Sequence, residues 1–121
     1  MGEALTIEVR HEQGYAIVTP AGEIDIATGN ELRECLCGLA PGGQPLVVDL
    51  DQVAFIDSAG LAALVGAAKP AASHGGSLYA VCARPKTRTL IRLTGLYYQI
   101  PLARSLDEAR EALAAAKTAL S

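Results

Sequence analysis

The first part of the chain alternates apolar and polar residues. The alternation runs over Leu5–Arg10, the polar triplet Glu12–Gly14 follows, and Tyr15–Thr19 forms a second, mainly apolar run. A period of two is typical of a half-buried β-strand, and two such runs joined by a short polar turn predict a β-hairpin. The segment Pro20–Asp25 is expected to connect this hairpin to the first helix.

Apolar residues three and four positions apart predict two helices in the middle of the chain. The first is expected over about Ala27–Leu39. The same spacing recurs over Leu61–Ala68, in a helix expected to begin near Ser58. Because Pro70 removes a backbone donor and clashes with the preceding turn, this second helix is predicted to kink or stop near Lys69.

Short apolar runs between turn residues predict the remaining strands. Leu46–Leu50 is almost continuously apolar, as expected of a central strand that is covered on both faces. Val53–Ile56 is expected to be a buried strand that ends at Asp57, and Leu78–Cys82, after a turn at His74–Gly76, is another. Strands that alternate with helices need crossover connections, which favour parallel pairing.

Two further helices complete the predicted order. Pro85 suits the first turn of a short helix that reaches Leu93 and is closed by Thr94–Gly95. Ser105 and Glu108 form the pattern of a capping box ahead of the last helix. The order is therefore β-β-α-β-α-β-α-(β)-α. It predicts one α/β domain over residues 1–121, with a mixed sheet of four to five strands and about four helices packed on it.

Composition restricts the class of protein further. A chain of 121 residues with 50% hydrophobic and 19% charged residues can bury one core and is not expected to be disordered. Its net charge of -3 offers no attraction to nucleic acid or to an anionic membrane. The sequence has no apolar run near the ~20 residues that span a bilayer, and no signal-peptide pattern. We therefore expect a cytoplasmic protein that neither binds nucleic acid nor inserts into a membrane.

The cysteines and histidines do not suggest a metal centre. Cys35 and Cys37 point to different faces of the predicted first helix, and Cys82 ends an apolar strand. Neither His11 nor His74 has the spacing of a metal ligand. We expect no metal and no cofactor, and we interpret the thiols as buried or incidental.

Ser58 lies where an apolar strand is predicted to turn into the second helix. A nucleophile elbow requires glycine at the position of Ile56, and His74 lies 16 positions along the chain, about 24 Å away if the residues between are helical. A catalytic serine, and hence an enzyme, is therefore not expected. The Ser58 hydroxyl is instead expected to cap the helix, a contact worth about 1 kcal/mol. This structural role is sufficient to account for a serine at this position without catalysis or modification.

A recognition surface is the functional alternative to capping. Gly22–Asp25 and Asp57–Gly60 each leave a strand of one sheet at a common edge, so we expect them to lie side by side. A phosphate there would add about -1.5 to -2 charge beside Asp57, which favours the helix dipole and opposes a partner packed against it. The residues of this expected partner-binding surface are Gly22, Glu23, Asp25, Asp57, Ser58, Ala59, Gly60 and Leu61. Structural roles compete with this function: Asp25 as a helix cap, Asp57 as a turn former and Gly60 as a close-packing residue.

Four motifs in this order and spacing resemble the STAS domain family, and most closely its bacterial anti-sigma factor antagonists. The similarity runs from about Leu5 to Leu113. It implies a small α/β domain that binds a serine-kinase anti-sigma factor, with ATP bound by that partner, and so releases a sigma factor. The motifs are Gly22–Asp25, Val48–Leu50 with Phe55–Leu61, Gly75–Gly76 before a strand, and Leu93–Leu96 before the final helix.

The chain departs from the family at the phosphorylated residue. In the family the kinase modifies the second residue after the motif aspartate, which here is Ala59 and has no hydroxyl. Ser58 matches the preceding family serine, which is expected to cap the helix. Three interpretations stay open: phosphorylation of Ser58 instead, a permanently active antagonist, or a cytoplasmic STAS subunit of a lipid-transporting ABC system. The segment Thr94–Leu113 favours the sigma-regulatory branch.

The resemblance leaves the oligomeric state open. An exposed edge of the first hairpin would offer a pairing site for a homodimer.

Overall fold

The computed structural model describes residues 5–95 and 100–120, with side chains as far as 117. Leu96 in the fourth family motif therefore lies outside the described residues. The strands are β1 Thr6–Glu12, β2 Tyr15–Ile24, β3 Leu46–Asp49, β4 Val53–Ile56, β5 Leu78–Val81 and β6 Leu102–Ala103. The helices are α1 Ile26–Leu39, α2 Ser58–Val65, α3 Ala68–Ser73, α4 Pro85–Leu93 and α5 Leu106–Leu120, with a 3₁₀ turn at Ala40–Gly42.

The sheet is mixed, as the sequence predicts. Its strand order is β1-β2-β3-β5-β6, with β4 placed beside β2. The hairpin β1–β2 is antiparallel, whereas β2–β3, β2–β4, β3–β5 and β5–β6 are all parallel. Over the described residues the sheet has six strands, more than the four to five expected, because β3 and β4 are separate strands and β6 forms.

The second strand is longer than predicted and reaches the candidate site. It continues past Thr19 through Pro20 to Ile24, a segment that the sequence analysis treated as a connection. Proline is tolerated here because β2 pairs with β3 over Ala16–Val18 and with β4 over Gly22–Ile24, so Pro20 lies between the two paired segments. The extension carries Gly22–Ile24 alongside β4.

The strand β4 is not buried along its length, which corrects the sequence-based expectation. Val53 and Ile56 point into the core, but Ala54 is exposed and 53% of the Phe55 side chain is open to solvent. β4 pairs with β2 over the short stretch Gly22–Ile24, so it lies off the main path of the sheet. This position leaves a large aromatic ring on the surface.

Two apolar cores hold the helices to opposite faces of the sheet. The larger core includes Leu32 and Leu36 of α1, Leu61 and Leu64 of α2, and Ile91 of α4. The smaller one joins Ile17, Val47, Val81 and Ala103 to Ala109 of α5. Of the apolar stripe predicted for the last helix, Ala109 is buried, Leu106 and Leu113 are half-buried, and Ala116 is exposed. The side chain of Leu120 lies outside the described residues.

The predicted second helix is two helices, so residues 5–95 and 100–120 contain five α-helices where about four were expected. The break falls at Gly66 and Ala67, ahead of the predicted position at Lys69. A proline ring clashes with the carbonyl four residues before it, which for Pro70 is that of Gly66. Pro70 is instead accommodated in the first turn of α3, where its missing N–H breaks no helical hydrogen bond.

Candidate partner-binding site

The C-terminal ends of β2 and β4 lie next to each other, and a helix begins at each. Ile24 is the register partner of Ile56, and the N–H of Asp57 donates to the carbonyl of Ile24 at 3.3 Å. The first turns of α1 and α2 therefore start from the same edge of the sheet. This confirms the predicted juxtaposition of Gly22–Asp25 with Asp57–Gly60.

Gly22 marks the point where β2 bends towards β4. The strand register shifts between Gly22 and Glu23, and Gly22 has a φ of 123°, a conformation that L side chains rarely adopt. Beyond the bend, Glu23 is exposed and is the register partner of Phe55 in β4.

Asp25 caps α1, as its structural interpretation predicted. Its Oδ1 accepts hydrogen bonds from the N–H groups of Ala27 and Thr28, both at 3.0 Å, while the N–H of Asp25 donates to Thr28 Oγ1 at 2.9 Å. Hydrogen bonds from the Thr28 N–H, and then from its hydroxyl, hold the pKa of Asp25 below its usual value. Asp25 is exposed and charged, so a role in binding is compatible with its role as a cap.

Asp57, and not Ser58, caps α2. Asp57 has extended backbone angles and its Oδ1 accepts the N–H of Gly60 at 2.8 Å, whereas Ser58 is the first residue of the helix. The predicted capping role of Ser58 is therefore wrong: the carboxylate, one residue earlier, satisfies the N–H that the hydroxyl was expected to bind. Ser58 is exposed, and its hydroxyl has no hydrogen-bond partner among the described residues.

Gly60 allows α2 to approach β2 and α1. A Cβ built on it would lie 2.5 Å from the carbonyl oxygen of Ile24 and 2.8 Å from that residue's Cγ2, closer than any real Cβ contact. Gly29 of α1 faces it: a Cβ there would lie 3.2 Å from the Gly60 Cα. Close packing therefore explains Gly60 fully, and this packing fixes the relative position of the two helix N-termini.

The eight predicted surface residues differ in exposure. Glu23, Asp25 and Ser58 are exposed, and Gly22, Asp57 and Ala59 are half-buried. Gly60 is buried and Leu61 is 1% exposed in the main core. The prediction that Leu61 belongs to the surface is therefore wrong, and only the first six residues named here reach solvent.

Three features of this region escaped the sequence analysis. Ile26, next to Asp25, is 66% exposed, and Phe55 is exposed although its strand was expected to be buried. Thr28 completes the capping box of α1 and also donates to the carbonyl of Glu23 at 2.8 Å. The Asp25-x-x-Thr28 spacing could have revealed the box. The exposure of the two apolar residues depends on the path of β2 and β4, which no local pattern specifies.

Metal ligands and reactive thiols are the next candidates for chemistry in the described part of the chain. This part of the chain contains no group of three His, Cys, Asp or Glu side chains that could hold a metal ion. Asp49 accepts the N–H of Asp51, and Asp51 accepts that of Ala83, so these carboxylates organise turns. Burial raises the pKa of the Cys35 and Cys82 thiols, which favours the unreactive protonated form.

Among the residues that the structure describes, no helix has the length and apolar character needed to span a bilayer.

Comparison with known proteins identifies the family. The STAS domain model matches residues 6–109, which is most of the chain and includes both segments of the site, Gly22–Asp25 and Asp57–Gly60. This chain belongs to the STAS domain family. The family resemblance seen in the sequence is thereby confirmed.

The relatives of this STAS domain include anti-sigma factor antagonists. An anti-sigma-B factor antagonist from Bacillus subtilis is 35% identical over 92 residues, covering 76% of this chain and 84% of the relative. An anti-sigma F factor antagonist from Paenibacillus polymyxa is 29% identical over 100 residues, covering 81% and 86%. The crystal structure of an anti-sigma factor antagonist from Mycobacterium paratuberculosis superposes with a TM-score of 0.80 at 34% identity, covering 90% of this chain and 93% of the other.

Proposed function

We propose that this STAS domain is an anti-sigma factor antagonist, which binds a serine-kinase anti-sigma factor through the joined N-termini of α1 and α2 and thereby frees a sigma factor. We further propose that the kinase phosphorylates Ser58 to end the interaction. The observation that carries the second step is the hydrogen bond from the Gly60 N–H to Asp57. Because Asp57 caps the helix, Ser58 presents its hydroxyl to solvent without loss of the cap.

The surface has the composition of a protein-binding site. An exposed apolar side chain, Ile26, stands beside the charged groups of Glu23 and Asp25, and Ser58 begins the neighbouring helix. Apolar anchors surrounded by polar groups are typical of protein interfaces. The relatives described above are antagonists of anti-sigma factors, so we infer that the partner of this chain is an anti-sigma factor.

Phosphorylation of Ser58 needs only groups that the chain and an ATP-bound kinase provide. The Ser58 oxygen bonds to the γ-phosphorus, the bond from that phosphorus to the β-γ bridging oxygen breaks, and ADP leaves. The hydroxyl proton passes to a base of the kinase. No residue of this chain acts as a catalyst in this step.

The added phosphate would act on binding through charge. Glu23, Asp25 and Asp57 already give this edge of the sheet three carboxylates, and phosphoserine adds about -1.5 to -2 more. The helix dipole of α2 stabilises a phosphate at its first residue, so the fold tolerates the modification. A partner packed closely on the same surface would have to desolvate the dianion, which opposes binding.

Ala59 determines which hydroxyl is available. It is the second residue of α2, half-buried, at the position where the family resemblance places the phosphorylated side chain. With alanine there, Ser58 is the hydroxyl nearest to that position in the chain. We therefore favour a switch moved by one residue over a switch that has been lost. Because the sequence relatives described above are anti-sigma factor antagonists, we also favour this function over that of an ABC transporter subunit.

Phosphotransfer from labelled ATP tests the proposal. Wild type, Ser58→Ala and Ala59→Ser are incubated with the anti-sigma kinases encoded in the same genome, and the modified residue is located by mass spectrometry. We expect labelling of wild type that Ser58→Ala abolishes. If wild type binds a kinase but only Ala59→Ser is labelled, the switch has been lost and the assignment of Ser58 is wrong. If no anti-sigma factor binds wild type, the function itself is wrong.

A further inference from the structure

A second surface feature adjoins the Ser58 site and has no role in the proposal above. It is a groove of about 380 Å³ between β4 and α4, with Phe55 and Ile56 on one side and Leu90 and Leu93 on the other. Phe55 is 53% exposed and Leu93 is 80% exposed. Two large, exposed apolar side chains therefore line one open groove, which is the kind of surface that contacts a partner.

The helix beside the groove is strongly basic in an acidic protein. Residues 84–92 contain Arg84, Lys86, Arg88 and Arg92 and no acidic residue. The rest of the chain has six lysines and arginines against 13 acidic residues. Residues 84–92 are therefore a basic segment in a chain whose remaining residues are acidic on balance.

Two of the four cations stabilise the fold, and two are left for a partner. Arg84 donates to the carbonyl of Val53 and so ties the start of α4 to β4, and Arg88 donates to the carbonyl of Cys82 at 2.9 Å. Lys86, which lines the groove, and Arg92, near its Leu93 end, are exposed. Neither has an ion-pair partner within the described part of the chain.

We propose that this groove binds an acidic, apolar segment of the anti-sigma factor while the same partner engages Ser58. Phe55 and Leu93 would receive the apolar side chains, and Lys86 and Arg92 would pair with carboxylates. The inference rests on the proposed function and names the chemistry of its partner. Its support is that the groove and the site are neighbours along the chain: Ile56 lines the groove, and the next two residues are Asp57, the cap of α2, and Ser58.

The arrangement would also orient the partner. The edge of the sheet at Ser58 carries Glu23, Asp25 and Asp57, whereas the exposed charges at the groove and its Leu93 end are those of Lys86 and Arg92. A partner with the complementary order of charges can dock in one direction only, because the reverse direction places like charges together. Orientation matters here, since phosphotransfer requires the nucleotide of the kinase to lie at Ser58.

Binding measurements on charge-reversed variants test the inference. The affinity of the anti-sigma kinase is measured by calorimetry for wild type, for Lys86→Glu with Arg92→Glu, and for Leu93→Gln. Lys117→Glu, an exposed lysine on α5 at the opposite face, is the charge control, and circular dichroism confirms that each variant folds. We expect the double reversal and Leu93→Gln each to weaken binding about tenfold or more, with the control unchanged. Unchanged affinity in both groove variants would overturn the inference and leave the proposed function intact.

A second arm does not depend on the kinase. We titrate isotope-labelled wild type with a synthetic helical peptide that has one face of glutamates and one face of leucines. A second peptide with lysine in place of glutamate is titrated in the same way, and the NMR resonances of the protein are followed. The acidic peptide should shift the resonances of Phe55, Leu90 and Leu93, the basic peptide should not, and the double reversal should abolish the effect. Vesicles containing anionic lipid are titrated in parallel. Vesicle binding that depends on Lys86 and Arg92, without any response to the acidic peptide, would contradict a protein segment as the occupant.

Discussion

The carboxylate of Asp57 accepts the N–H of Gly60 across 2.8 Å, and Ser58 lies between them with its hydroxyl unused. Serine and aspartate are both good N-cap residues, so the pair Asp57-Ser58 allows two starting points for the helix. The structure starts it after the aspartate. The consequence is functional, because a serine at the first helical position can be modified without removal of the cap.

Replacing the capping residue should destabilise the protein more than replacing the serine. Asp57→Ala leaves the Gly60 N–H without its acceptor, so we expect a loss of about 1 kcal/mol in the free energy of unfolding. Ser58→Ala should change it by less than about 0.5 kcal/mol. Urea denaturation followed by circular dichroism measures both. The reverse order of the two effects would show that Ser58 is the cap.

A methyl group at Gly60 should disrupt the packing of the site. The added Cβ would lie 2.5 Å from the Ile24 carbonyl, so α2 must move, and we expect Gly60→Ala to cost about 1–3 kcal/mol. Gly38→Ala is the matched control. Gly38 is an exposed residue of α1 where a Cβ meets nothing within 4 Å, and alanine there should stabilise by up to about 1 kcal/mol. Equal effects of the two substitutions in urea denaturation would contradict the close approach.

The capping box of α1 should be visible in the acid titration of the protein. The pKa of Asp25 is lower in the folded state than its usual value. Its contribution to stability is therefore present above about pH 4, the range of an unfolded aspartate, and is lost as the pH falls through the lower, folded pKa. Asp25→Asn should flatten the dependence of stability on pH in that acid window.

The cause of this shift can be tested separately by NMR titration of the Asp25 carboxyl group. Thr28→Val removes the hydroxyl but keeps the backbone N–H that contributes most to the shift, so the pKa should rise part of the way to its usual value. Thr89→Val, in the exposed part of α4, is the control and should leave the pKa unchanged. A normal Asp25 pKa in wild type would show that the capping box does not persist in solution.

Sequence patterns were sufficient for elements whose identity depends on local spacing. The amphipathic helix α1, the hairpin, β3, and the proline-started α4 were all predicted to within one or two residues, except that β2 runs on past Thr19. Their periodicity or turn residues are strong, and tertiary contacts do not oppose them. The inference that both segments leave strands at a common edge of the sheet also placed Gly22–Asp25 beside Asp57–Gly60 correctly.

The features that the sequence missed depend on contacts between distant segments. The exposure of Phe55 follows from the pairing of β4 with Gly22–Ile24 off the main path of the sheet. The break at Gly66 was placed three residues late because the clash of Pro70 acts on the carbonyl four positions earlier. The choice of Asp57 as cap depended on where the turn after β4 ends, which local propensity leaves undecided between adjacent residues.

Release of a sigma factor is the most direct test of the central claim. A preformed complex of the anti-sigma factor with its sigma factor is mixed with this protein, and free sigma factor is measured by size-exclusion chromatography. Wild type and the control Lys117→Glu should release sigma factor equally, whereas protein phosphorylated at Ser58 should release at least about tenfold less at the same concentration. A complex that stays intact with every anti-sigma factor of the genome, or equal release by phosphorylated and unmodified protein, would contradict the claim.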